Sequence, residues 1–308
     1  MRRFAPVTLV LAASLALAAS CGGASTASEQ GSVDGRLPVV TTTTQLTDFA
    51  RIVGGKHVDV YGILKPNVDA HDFEPSPGDI AKLAQAKVIV KNGVGLEGWF
   101  DPTIKNAGSR ATIVEAATGV TVRHGKGEHA AQGDPHIWQD PRNAKVMVHN
   151  VATALAAADP SHRADYQANE AAYAAELDRL DGEIAGQIDG LANKKLVTNH
   201  DAFGYYIDRY GLDFVGAVIP SFDSQAELSA RDISHIVGLI RTTGVKAVFS
   251  ETSLPPKTAE AIGRDAGVAV VAGDDALYGD SLGPPGSDGD TYLKMLRHNT
   301  REIVDHLD

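Results

Sequence analysis

The pattern of apolar and polar positions changes character three times along the chain. From Pro38, short runs rich in β-branched residues, PVVTTT, VDVYGIL, KVIVKNG and ATIVEA, alternate with TQLTDFARIVGG, PSPGDIAKLAQA and FDPTIKNAG. The first four read as strands. The other three carry apolar residues at helical spacing, with Gly or Pro near their ends. The same alternation returns from Lys195, with strands KLVTNH, DFVGAVI, KAVFSE and VAVVAG. Between and after them lie AFGYYIDRYG, SQAELSARDISHIVGLIRTTG, PKTAEAIGRDAG and GDTYLKMLRHNTREIVDHLD. Strands that alternate with helices predict mostly parallel sheets flanked by helices. The fold class is therefore α/β, with two similar lobes. Ser224 followed by Glu227 at the third position predicts a capping box there.

The segment between the two sets has almost no strand signal. From Pro141 to Leu191 it is Ala-rich and helical, broken at Ala158-Asp159-Pro160. Leu177, Leu180, Ile184, Ile188 and Leu191 recur at spacings of three or four, an apolar seam on one long helix. About 30 residues at 1.5 Å each span roughly 45 Å, enough to run along two lobes as a stiff connector. The other reading is a pair of helices packed within one domain.

The N-terminus has a pattern of its own. MRRFAPVTLVLAASLALAAS places two arginines before an apolar run that ends in small residues, the layout of a secretory signal peptide over residues 1–20. Cys21 follows, and it is the only cysteine of the chain, so no intrachain disulfide can form. Ala18-Ala19-Ser20-Cys21 resembles a bacterial lipobox, which makes Cys21 the candidate lipidation site; ordinary cleavage with an idle thiol is the alternative. The small polar residues after it predict a tether over residues 21–36. Folded segments then follow at 37–158 for the first lobe, 159–191 for the connector and 192–308 for the second lobe.

Composition narrows the function. The 308 residues are 43% hydrophobic, enough to bury real cores. A net charge of −11, or −13 once residues 1–20 and their two arginines are removed, leaves no basic stripe for nucleic acid. HExxH does not occur.

Of eleven histidines, His57, His149, His235 and His298 fit turns or helical stretches as satisfied or solvated residues. Three others sit near the ends of predicted strands: His71 in NVDAHDFEPSPGD, His136 in GDPHIWQDP and His200 in TNHDAFGYY. Ligands of open α/β sheets bind outside the carboxyl ends of strands. Prolines beside His71 and His136 restrict the backbone and help to pre-orient a ligand. Glu251, at the end of KAVFSE, is a candidate partner to orient one of the histidines, or else a turn cap. Trp138 is read as packing the loop of His136. His124 and His129 lie in a glycine-bearing segment, TVRHGKGEHAAQG, which is either a metal-capture loop or a solvated one.

Five segments in order, HDFEPSP, DPHIWQDP, NHDAF, VFSET and LYGDSLGPPGSDGDTYLKMLRHNTREI, resemble the substrate-binding lipoproteins of zinc- and manganese-uptake ABC transporters. The similarity covers essentially the whole mature chain. It implies two lobes joined by a long helix, with a metal ion held in the cleft by His71 and His136 from the first lobe and His200 and Asp280 from the second. Asp280, in Tyr278-Gly279-Asp280-Ser281, matches the family's ligand position better than Asp274, Asp275, Asp288 or Asp290. The resemblance further implies a monomer that partners a membrane permease, anchored by lipid on the outer face of the bacterial cytoplasmic membrane. Three imidazoles and one carboxylate suit Zn(II), with Mn(II) as the alternative cargo. Four protein ligands would close the site, which fits carriage and argues against a zinc hydrolase with its open position. A role as an adhesin has no sequence feature behind it.

Overall fold

The computed structural model describes residues 35–125, 131 and 133–308. The proposed signal peptide, Cys21, most of the tether and His129 lie outside the described residues.

Two four-stranded sheets, each wholly parallel, organise the chain. The first contains β1 (Leu37–Thr41), β2 (Val58–Gly62), β3 (Val88–Lys91) and β4 (Thr112–Glu115), in the order β2-β1-β3-β4. The second contains β5 (Lys195–His200), β6 (Asp213–Ile219), β7 (Ala247–Phe249) and β8 (Ala269–Val271), in the order β6-β5-β7-β8. The two lobes therefore repeat one topology. In each, the chain leaves the first strand toward one side and later returns on the other, which creates a switch point between β1 and β3 and between β5 and β7. Strand β3, VIVK, is buried through Val88, Ile89 and Val90, the continuous apolar run that a parallel strand covered on both faces needs.

Helices α1 (Thr44–Gly54), α2 (Pro77–Gln85) and α3 (Phe100–Ala107) connect the first set of strands. Helices α6 (Gly204–Tyr210), α7 (Ala230–Thr243) and α8 (Lys257–Ala266) connect the second, and α9 (Tyr292–Leu307) closes the chain. The start of α7 differs from the sequence expectation. The capping box is formed by Ser229 and Asp232, each side chain bonding the other's backbone N–H. Ser224 instead donates its hydroxyl to Asp69 at 2.6 Å, so it serves a contact with the first lobe and caps no helix. Both Ser-x-x-acid patterns occur within nine residues, and periodicity alone does not choose between them.

The predicted helical middle consists of α4 (Pro141–Ala158), capped by the Asp140 side chain, and α5 (Arg163–Asp189). At 27 residues α5 is about 40 Å long. It buries Tyr166, Tyr173, Leu177, Leu180, Ile184 and Ile188 on one side, and it packs against α1 and α4 as well as α6 and α9. The long helix thus joins the lobes through a packed core. Phe49 of α1 lies 6.1 Å from the Tyr173 ring of α5 and 4.9 Å from the Tyr292 ring of α9. Burying a residue of this size contributes about 1.5–3 kcal/mol. A separate core of Val197, Val218, Ile236, Ile240 and Val248 lies under α7 and α8 on the far face of the second sheet. Among the described residues no helix is long and apolar enough to cross a membrane.

Candidate metal centre

Each of the four residues singled out reaches the site from a different local structure. His71 lies in the loop between β2 and α2, where its backbone N–H donates to Asp69 Oδ1 at 2.9 Å. His136 stands at the start of a single helical turn, Ile137–Gln139. Asp134 Oδ1 accepts both the His136 backbone N–H at 3.0 Å and its ring Nδ1 at 2.8 Å. His200 is the last residue of β5, beside the switch point of the second sheet. Glu251, just past β7 on the other side of that point, accepts both the His200 backbone N–H at 2.9 Å and its Nδ1 at 2.8 Å through Oε1. One carboxylate oxygen thus serves backbone and ring together in both lobes. This fixes the ring angle and assigns the proton to Nδ1, which leaves Nε2 to face the centre.

The nitrogen and oxygen atoms that face one another form a small polyhedron. His136 Nε2 is 3.2 Å from His71 Nε2 and 3.3 Å from His200 Nε2. Asp280 Oδ1 is 3.3 Å from His136 Nε2, and Asp280 Oδ2 is 3.7 Å and 3.5 Å from the Nε2 atoms of His71 and His200. All four groups lie within 4.8 Å of one another. Both Asp280 oxygens are buried without a hydrogen-bond donor. A buried carboxylate in that state needs a cation.

The electrostatics follow from the carboxylates. Burial opposes charge on the His136 ring, but Asp134 and Asp280 outweigh it and lift its pKa to about 9. His200 is likewise buried, and Glu251 and Asp280 raise its pKa well above the ordinary value. Burial dominates for His71 and lowers its pKa. Burial also works against ionisation of Asp280, yet the three histidines hold its carboxyl well below the usual range. The side chains of His136, His200 and Asp280 are fully buried, whereas that of His71 is 9% exposed. Beside His71 opens a cavity of about 440 Å³, lined by Leu96, Pro135, Phe222 and Asp223 among others.

The other candidates fall elsewhere. Asp274 and Asp275 are exposed in a helical turn, and Asp288 is exposed too. His124 is exposed and pairs with Gly133 in an isolated antiparallel bridge at the base of its loop, apart from the four. Trp138 is buried and donates from Nε1 to the Gly279 carbonyl at 3.0 Å, so it packs and pins the loop as expected. Asp134 was not singled out in the sequence, where the Asp-Pro pair before His136 reads only as backbone bracing. An Asp two residues before a candidate ligand was the available signal. Its second oxygen pairs with Arg123 at 2.7 Å, and Arg123 bonds Asp208 of α6 at 2.6 Å.

Gly279 is required by close approach. A Cβ there would fall against Glu251 Oε2. Gly279→Ala should displace the carboxylate that orients His200 and lower metal affinity about 10–100-fold, the usual cost of losing such a partner. Calorimetry on the variant, with its circular dichroism unchanged, checks this.

Comparison with known proteins gives a consistent picture. A family model described as "Zinc-uptake complex component A periplasmic" matches residues 39–306. The chain is similar to the manganese ABC transporter substrate-binding lipoprotein PsaA of Streptococcus pneumoniae, 30% identical over 100% of this chain and 99% of the relative. It is 29% identical to the iron ABC transporter substrate-binding lipoprotein MtsA of Streptococcus pyogenes, over 98% of each. Its fold is similar to that of the periplasmic zinc-binding protein TroA from Treponema pallidum. The TM-score is 0.81 at 28% identity, covering 89% of this chain and 99% of that one.

Proposed function

The chain belongs to the family of metal-binding, substrate-binding components of ABC transporters, which are not enzymes, and from that premise we propose that it captures Zn(II) with His71, His136, His200 and Asp280. The observation that carries this reading is the size of the polyhedron. A tetrahedron with metal–ligand bonds of about 2.0–2.1 Å has edges of about 3.3–3.4 Å. His136 Nε2 stands 3.2 and 3.3 Å from the other two ring nitrogens, the nearer Asp280 oxygen lies 3.3 to 3.7 Å from each ring, and all four ligand groups lie within 4.8 Å of one another. Three imidazoles favour zinc over harder ions. Glu251 and Asp134 hold two of the three rings, and the loaded protein delivers its ion to a cognate permease. It works outside the cytoplasm, as its lipoprotein relatives do. In this reading residues 1–20 are removed, Cys21 carries the lipid, and residues 21–36 link the anchor to the monomeric body.

Mn(II) is a second reading, and one observation favours it. Both oxygens of Asp280 face imidazoles, Oδ1 toward His136 and Oδ2 toward His71 and His200. A bidentate carboxylate would supply the fifth ligand that a larger ion wants. Titration of each ion into metal-free protein at neutral pH separates the two. One zinc should bind per chain and resist displacement by manganese. Absence of stoichiometric binding by either ion would defeat the ligand assignment.

A further inference from the structure

Asp280 belongs by sequence to the second lobe, but its segment is fastened to the first. The chain leaves the second sheet at Leu277, which exchanges backbone hydrogen bonds with Ser250 and Thr252 at 2.9 Å each. Tyr278 is held next by Asn299 of α9, which bonds both its N–H and its carbonyl. From Gly279 onward the partners change. The Gly279 carbonyl accepts from Trp138 Nε1 and Gln139 Nε2, both at 3.0 Å. The Asp280 carbonyl accepts from Gln45 Nε2 at 3.1 Å. Leu282 N–H donates to Thr44 Oγ1 at 2.8 Å, and Asn67 N–H donates to Ser281 Oγ at 2.9 Å. Every one of these partners lies in the first lobe or at the start of α1.

His200 is held in the opposite way. Its backbone and ring bond Glu251, and the next residue, Asp201, donates its N–H to the Ser221 carbonyl. These are all residues of the second lobe.

We propose that the ligand set divides three to one: His71, His136 and Asp280 form a half-site fixed to the first lobe, and His200, travelling with Glu251, is the ligand withdrawn when the site opens. Gln45, Gln139 and Trp138 are then positioning residues for Asp280. The physical reason is the count of groups each motion would strand. Withdrawing Asp280 with the second lobe leaves Gln45 Nε2, Trp138 Nε1, Gln139 Nε2 and Leu282 N–H as buried donors without acceptors, each at full desolvation cost. Withdrawing His200 strands none of them, because its acceptor moves with it. The links that must part include those at the mouth, where Asp69 Oδ2 accepts from Ser224 Oγ at 2.6 Å and Gln225 Nε2 at 2.8 Å, and those of α6, where the Tyr205 hydroxyl donates to the Asp134 carbonyl at 2.9 Å and Arg123 Nε donates to Asp208 at 2.6 Å. Asp69 Oδ1 remains on the His71 N–H throughout.

The proposal rests on the four-residue ligand reading, and hydrogen exchange on the whole mature chain tests it separately. Metal-free and zinc-saturated samples are compared, with zinc stoichiometry measured on the same preparation. Peptides spanning 279–283 should exchange within about twofold of each other in the two states, while those spanning 198–202 and 249–252 should exchange at least about tenfold faster without metal. Loss of protection at 279–283 together with 198–202 overturns the three-to-one division. So does equal protection of both segments in both states, since His200 would then not be withdrawn. A chain that takes up no zinc fails the ligand reading itself, whatever its exchange pattern.

Discussion

Replacing His200 with alanine is expected to lower zinc affinity by well over about a hundredfold, more than the 10–100-fold loss that follows removal of an outer partner. The side chain is fully buried, its Nε2 lies 3.3 Å from that of His136, and Glu251 fixes its ring. The variant loses one of three nitrogen ligands. It also leaves the Glu251 carboxylate buried without its ring partner, which adds a desolvation cost on the protein side. Residual one-to-one binding should survive at high zinc concentration, because His71, His136 and Asp280 remain together. His149→Ala is the control. That ring is 64% exposed on α4 and pairs with Glu170, so calorimetry should give the parent affinity. Equal losses in the two variants would reject the ligand map.

Much of this arrangement was legible in the sequence for identifiable reasons. Short β-rich runs alternating with helical ones mark the strands of parallel sheets, and each of the eight read as a strand is present, DFVGAVI over its full length as Asp213–Ile219. Of the seam, Leu177, Leu180, Ile184 and Ile188 mark the buried face of α5 because helical periodicity survives in an isolated segment, whereas Leu191 falls past the helix end at Asp189 and is buried in the turn that follows. His200 stood out as a candidate because a histidine ending a strand meets the general rule for ligand position, and the structure groups it with His71, His136 and Asp280. What could not be read were contacts between residues far apart in sequence. Gln45 and Asp280 are separated by 235 positions, and nothing local marks Gln45 as a holder of that loop. The Ser224 pattern shows the converse: a local capping signal was outcompeted by an acceptor, Asp69, 155 residues away. Local periodicity encodes elements, whereas the bonds that decide how a site opens are set only when the lobes pack.

Zinc affinity should depend on pH more steeply, and to higher pH, than three ordinary histidines near 6.5 would require. In the metal-free protein the His136 pKa is about 9 and that of His200 stands well above the ordinary value, in each case because buried carboxylates offset the cost of burial. At pH 7 the His136 ring therefore holds a proton on Nε2, the atom the metal must take, and the His200 ring is biased the same way, while Nδ1–H continues to donate to Asp134 or Glu251. Binding should expel at least the His136 proton, so apparent affinity should rise about tenfold or more per pH unit below about pH 9. His71, with its lowered pKa, adds little to this slope. The sign is opposite for the metal-free fold. The raised His136 pKa contributes stability that is full below about 6.5 and is lost as pH rises through about 9, and His200 acts in the same direction. Acid therefore stabilises the empty site and weakens the loaded one, and both effects promote release at low pH. Calorimetric titrations between pH 6 and 9, in buffers of different ionisation enthalpy, count the protons directly. A slope below one proton across pH 6–8 would mean that both rings are neutral before zinc arrives, and that Asp134, Glu251 and Asp280 orient them without charging them.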